Sequence, residues 1–202
     1  PLYTLPLLFG VGWYLSGHQL GSKANSTMLG ISSAYLLWSV LAQWHVSTVV
    51  RSSLQQQQLQ YQQLLITPAP LNTLLWRIVV LTEHGYAEGF YSLLDDSDNI
   101  ALSHIARDES LKQRYATLKP VQQLAWFSQG FYSLQQQGER LLLTDLRMGH
   151  EGSYAFQFVL DPESKATPQQ LPMRRDVAQT LPWLWQRLQG KPLPSPYLVV
   201  NQ

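Results

Sequence analysis

The chain has 202 residues and a formal net charge of +1, from 14 Lys and Arg against 13 Asp and Glu. So balanced a charge gives no global field for nucleic acid, and the basic residues are scattered singly, so no nucleic-acid partner is expected. The lack of cysteine excludes a disulfide framework, a thiolate nucleophile and Cys-ligated zinc.

Charge is also unevenly placed: before Glu83 the only charged residues are Lys23, Arg51 and Arg77. Residues 2 to 15, LYTLPLLFGVGWYL, are uncharged but shorter than the roughly 20 residues a bilayer-spanning helix needs. The run reads as the tail of a span, and because the chain opens PLYTLPLL without an initiator Met, a cut or processed start is expected. A polar connector, SGHQLGSKANS, leads to a second uncharged run from Thr27 to Val50. At about 1.5 Å per residue this run reaches across a ~30 Å hydrocarbon core. Trp13, Tyr14, Trp38 and Trp44 suit interfacial aromatic belts, and Gly30, Ser33 and Ala34 permit close helix approach. Residues 1 to 60 are therefore expected to form a transmembrane helical hairpin with a helical extension, its partner a lipid bilayer. Gln43, His45, Ser47 and Thr48 keep open the alternative of two buried helices in a soluble protein.

The Gln-rich stretch RSSLQQQQLQYQQ (51 to 63) continues a helical stripe through Val46, Val50, Leu54 and Tyr61, and TPAP (67 to 70) stops it. The period then changes to two. LNTLLWRIVVLT and YAEGFYSLL flank EHG as a β-hairpin, DDSDN is a turn, and IALSHIA is a further strand. Asp108 caps a helix expected to run to Leu118, and Pro120 opens another through Phe127. FYSLQQ and RLLLTDL form a second hairpin around Gln137 and Gly138, and SYAFQFVL is the last strand. The fold class is α+β, with a mainly antiparallel sheet and one or two helices over residues 61 to 160. Residues 161 to 202 form a Pro-rich tail with a short helix from Trp183 to Leu188.

Local motifs for chemistry are sparse. The histidines at 18, 45, 84, 104 and 150 never take a zinc spacing. DDSDN lacks the Gly and distant Glu of a calcium loop, and WFSQG lacks the first Gly of a nucleophile elbow. Asp145 and Arg147, two residues apart at a strand end, face one side and suit either an ion pair or joint contact with an anionic ligand.

PLYTLPLL, YLLWS, LLITPAPLNTLLWRIVV, GYAEGFYSLLD, LAWFSQGFY and TDLRMG, in that order, resemble the C-terminal portion of the YdjM/YbcI-type membrane-bound metal-dependent hydrolases of bacterial inner membranes. The resemblance covers roughly residues 1 to 160. It implies location in the bacterial inner membrane and a divalent metal whose His- and Asp-bearing motif, of the type HRGxTHS, lies ahead of PLYTLPLL. This sequence holds no match to that motif, so no metal ligand carries over and the fragment alone is expected to be inactive. Matching positions are Asn72, Trp76 and Arg77; Gly89, Phe90 and Tyr91; Trp126, Phe127 and Ser128; and Asp145, Arg147 and Gly149. Arg147, Asp145, Arg77, Asn72, Tyr91 and Trp126 are the candidates for contact with an anionic or lipid-like substrate. Two functions stay open: the C-terminal part of a metal-dependent hydrolase, or a non-catalytic membrane-anchored interaction or ligand-binding domain.

Overall fold

The computed structural model describes residues 4, 11, 21–70, 72–163, 167–173 and 177–194, without the side chains of 21–24 and 177. The chain is α+β. Helix α1 spans Gly21–Gln56 in one continuous run of 36 residues. A first antiparallel sheet has the order β1-β2-β3-β4, from β1 (Gln63–Pro68), β2 (Leu75–Thr82), β3 (Gly85–Ser92) and β4 (Leu102–Ala106). Two short helices follow, α2 (Ser110–Arg114) and α3 (Lys119–Phe127). The second sheet is ordered β10-β9-β6-β5, from β5 (Tyr132–Gln137), β6 (Arg140–Asp145), β9 (Gln157–Leu160) and β10 (Gln169–Gln170). Between β6 and β9 lies a two-stranded ribbon, β7 (Gly149–His150) and β8 (Ser153–Tyr154), and α4 spans Val177–Leu188.

The period-two pattern of β2 and β3 decides what packs on each face of the first sheet. Trp76, Ile78, Val80, Ala87 and Tyr91 bury against Ala42, Val46, Val49, Val50 and Leu54 of α1. On the opposite face Val79, Leu81 and Tyr86 meet Leu146 and Tyr154, which arrive from the end of β6 and from β8. A third cluster joins Leu111, Val121 and Leu124 of α2 and α3 to Leu134, Leu141 and Leu143 of the second sheet.

Both hairpins form as read, with turns at Glu83–His84 and Gly138–Glu139. Several expectations are corrected. The connector's residues 21 to 26 are helical and belong to α1. The helix also ends at Gln56, well before TPAP: Gln58 takes a positive φ of 52°, and β1 is already under way at Gln63. The helical stripe stops short of Tyr61, because Leu64, Leu65 and Ile66 pair with β2 as an edge strand that tolerates Pro68 at its end. The Asp108-led helix is only Ser110–Arg114, although Asp108 Oδ1 does accept from the Ser110 N–H at 3.0 Å. SYAFQFVL is two strands, β8 and β9, that belong to different sheets. Helix α4 begins earlier than Trp183, because Pro182 inside it removes only a bond to the first turn.

Residues 2 to 15 lie outside the described residues except Thr4 and Val11. Among the described residues no helix is long and apolar enough to cross a membrane. In α1 the apolar run is broken by Gln43 and His45, and from Ala42 onward one side of the helix is buried against the sheet. Its earlier part is open apart from the buried Ser32: Leu29, Ile31, Leu36, Leu37, Trp38, Val40 and Leu41, together with Trp44 on the outer side of the later part, are 45–70% exposed. At about 3.6 residues per turn these positions cover well over half of the helix circumference.

Candidate functional site

The segment from Asp145 to Glu151 joins the two sheets, and contacts from four parts of the chain converge on it. Asp145, the last residue of β6, is fully buried. Its Oδ1 accepts from the backbone N–H of Arg147 at 2.9 Å and from Arg147 Nε at 3.2 Å, while Oδ2 accepts from Nη2 at 2.9 Å. The pair expected from sequence is present, with Arg147 just past the strand end. The Arg147 side chain keeps 23% exposure, its guanidinium 4.8 Å from the centre of the Phe127 ring at the end of α3. Among the described residues its Nη1 makes no hydrogen bond, so one edge of a charge-assisted donor faces outward. Phe127 is 51% exposed, and Trp126 and Met148, the chain neighbours of Phe127 and Arg147, are 82% and 55% exposed. An apolar groove of about 280 Å³, lined by Pro120, Leu124, Phe127, Leu143 and Phe158 with Gln123 as its polar member, runs beside it.

Arg77 reaches the same segment from β2. Its Nη1 donates to the Leu146 carbonyl at 2.8 Å and its Nε to Glu88 Oε1 of β3 at 2.6 Å, with side-chain exposures of 7% and 0%. Glu88 Oε2 accepts the Glu151 N–H at 2.9 Å. The Glu151 carboxylate in turn takes the Tyr86 hydroxyl and Arg107 Nη2, the latter at 3.2 Å, and the Tyr154 hydroxyl lies 3.2 Å from that of Tyr86. Burial in this network, reinforced by Glu151 at Tyr86 and by Glu88 at Tyr154, raises both phenols well above their ordinary value.

Gly149 makes the turn possible. Its φ is +112°, and a Cβ there would collide with the Ser153 carbonyl oxygen. His150 follows, half-buried, with Nδ1 donating to the Glu151 carbonyl at 3.0 Å and its ring edge-on to Phe90 at 6.5 Å. Burial lowers its pKa below the usual 6.5, against smaller opposing effects of the Glu151 carbonyl and Glu88.

Of the six candidates, Arg77, Asp145 and Arg147 meet here, and Trp126 adjoins Phe127. Asn72 does not: its Oδ1 accepts from the N–H groups of Leu74 and Leu75 at 3.0 and 2.7 Å, ordering the turn before β2. Tyr91 is buried on the α1 face, its hydroxyl 3.4 Å from Asp98 and its pKa pushed up to about 12, chiefly by burial. The sequence reading missed Glu88, Glu151 and Arg107. A signal existed for the first, since Arg77 in LWRIVV and Glu88 in GYAEGFYS are lone charges in two strands that pair.

Among the described residues no group of three His, Cys, Asp or Glu could hold a metal ion, and Glu88 and Glu151 are committed to Arg77 and Arg107. The divalent metal implied by the resemblance does not fit these residues. Comparison with known protein families, curated proteins and solved structures gives no match.

Proposed function

We propose that this chain is a bilayer-anchored ligand-binding module. Helix α1 holds the sheets at a membrane surface, and the Arg147–Phe127 surface receives an anionic, lipid-like group. The observation that carries this reading is the exposed apolar length of α1, with no charged residue between Lys23 and Arg51. A contiguous apolar surface of this kind is rare on a protein that meets only water. Leu29 and Ile31 would lie deepest, Leu36 and Leu37 nearer the domain, and Trp38 and Trp44 near the interface. Residues 25 to 41 rise about 26 Å at ~1.5 Å per residue, so this part of α1 alone reaches into the hydrocarbon without fully traversing its ~30 Å. The ligand chemistry follows from a guanidinium with an open edge, set on an aromatic ring beside an apolar groove.

One observation favours a second reading, the C-terminal part of a metal-dependent hydrolase of the bacterial inner membrane. Arg77, Glu88 with Phe90, Phe127 and Asp145 with Arg147, which come from four separate segments of the resemblance, are drawn to one turn. In that reading the turn orients an anionic or lipid-like substrate toward a metal held by residues outside this sequence.

Flotation of the full chain with phosphatidylcholine vesicles, with and without phosphatidylglycerol, tests the binding reading. Arg147→Gln is expected to remove the extra recovery on anionic vesicles and leave recovery on neutral vesicles unchanged. Equal recovery of wild type on both vesicle types would refute the anionic ligand. Divalent-metal-dependent hydrolysis of an anionic lipid by the full-length natural protein, lost in Arg147→Gln, would favour the second reading.

A further inference from the structure

Among the described residues, helix α4 meets the first sheet through the face that carries Trp183 and Arg187. Trp183, 7% exposed, packs edge-on against Phe90 at 4.8 Å, and its Nε1 donates to the Pro194 carbonyl at 2.7 Å. One turn on, Arg187 donates to both carboxylate oxygens of Asp95 at 2.8 and 2.9 Å and to the Phe90 carbonyl at 2.7 Å. The other side of the helix carries Leu181 and Trp185, also one turn apart, at 60% and 64% exposure. No charge accompanies them, because the only charged residue of α4 is Arg187, and it points inward.

The turn that receives the end of α4 exposes an apolar side chain too. Ser92 Oγ donates to the Leu188 carbonyl at 3.1 Å, and Gly190 approaches the Leu94 carbonyl so closely that a Cβ would collide with it. Leu94 itself is 53% exposed. This turn lies at the end of the sheet that α1 touches. The Leu93 N–H donates to the Leu74 carbonyl at 2.8 Å, and in the next residue back Thr73 Oγ1 accepts Trp38 Nε1 at 3.1 Å.

We infer that α4 is a second membrane contact, lying in the plane of the interface with Leu181, Trp185 and Leu94 among the lipid headgroups and upper acyl chains. This rests on the reading that α1 enters a bilayer. Lipid is favoured over a protein partner because the turn that receives α4 and the Thr73 that holds Trp38 of α1 lie at the same end of the sheet, and because the Trp and Leu face bears no charge for a partner to pair with. Two contacts at one end of the sheet would fix the tilt of the domain, which a single helix cannot do.

Because the chain has no cysteine, a single introduced cysteine carries a nitroxide label uniquely. The full chain is labelled separately at Leu37→Cys, Leu181→Cys, Trp185→Cys and, on the exposed edge strand of the second sheet, Gln135→Cys. Collision with oxygen and with a water-soluble nickel chelate is measured in vesicles of phosphatidylcholine and phosphatidylglycerol. Labels at Leu37, Leu181 and Trp185 are expected to meet oxygen more than nickel, and the label at Gln135 the reverse. If Leu37 favours oxygen while Leu181 and Trp185 favour nickel, the α4 contact is wrong and the α1 reading survives. If Leu37 favours nickel, the membrane reading falls and takes this inference with it. Labels at Leu181 and Trp185 that are immobile and reached by neither quencher would place α4 against protein and overturn the inference.

Discussion

Glu88→Gln tests the buried network most sharply, because it keeps the side-chain shape and removes the charge. In the wild type the Glu88 side chain has no solvent exposure and accepts from Arg77 Nε at 2.6 Å and the Glu151 N–H at 2.9 Å. The amide can still accept from one donor. What remains is the Arg77 guanidinium at 7% side-chain exposure with no carboxylate beside it, its Nη1 on the Leu146 carbonyl and its buried Nη2 without a hydrogen bond among the described residues. Breaking a buried ion pair from one side destabilises by about 3–5 kcal/mol. For a chain of this size that lowers the midpoint by on the order of 6–20 °C, at roughly 2–4 °C per kcal/mol. Circular dichroism melting of the detergent-solubilised full chain measures the shift. Replacing both partners, Arg77→Met with Glu88→Leu, is expected to recover most of the loss, because neither buried charge is then left alone. A loss below about 1 kcal/mol for Glu88→Gln, the range of an exposed pair, would refute the packing described for this pair.

Gly149→Ala is expected to destabilise by about 1–3 kcal/mol, since φ of +112° strains any L side chain and the Cβ has no room; the same melt checks it. His150 titrates below its usual 6.5 in the folded chain, so the unfolded chain binds the proton first as pH falls. Stability linked to this group is thus complete above about pH 6.5 and is lost below it, down to the lowered folded value. His150→Gln should flatten the melting midpoint across that window, and an unchanged slope would count against the burial of the ring. Asp95→Asn leaves Arg187, 3% exposed, without its anionic partner and should release α4. Limited proteolysis should then cut between the sheets and α4 faster than in wild type.

The hairpins were legible because a period of two, bounded by turn residues, is a local signal, and LNTLLWRIVVLT and GYAEGFYS carry it plainly. The end of α1 was not, because Gln has good helix propensity and nothing local marks Gln58 for a positive φ. Strand β1 was hidden in the same way, as LLITP gains its extended form by pairing with β2 across a sheet edge. At the site, Asp145 and Arg147 were readable from spacing alone. That Arg77 also reaches Leu146 was not, since the contact spans 69 residues and depends on how the two sheets pack. The turn-forming bonds of Asn72 to Leu74 and Leu75 were not legible either, because in sequence such a residue looks the same as one that meets a ligand.

The central claim is that the exposed apolar length of α1 enters a bilayer. Its most direct test is flotation of the full chain with neutral phosphatidylcholine vesicles at high salt, comparing wild type with Leu37→Asp/Val40→Asp, two positions 61% and 63% exposed. A carboxylate costs about 2.5–3.5 kcal/mol at the centre of a span on insertion scales and less toward the interface, so the pair should weaken association by at most about 5–7 kcal/mol. Wild type is then expected to float while the variant stays in the dense fraction with an unchanged circular dichroism spectrum. Equal flotation of the two, or wild type remaining with the dense fraction, would contradict the claim.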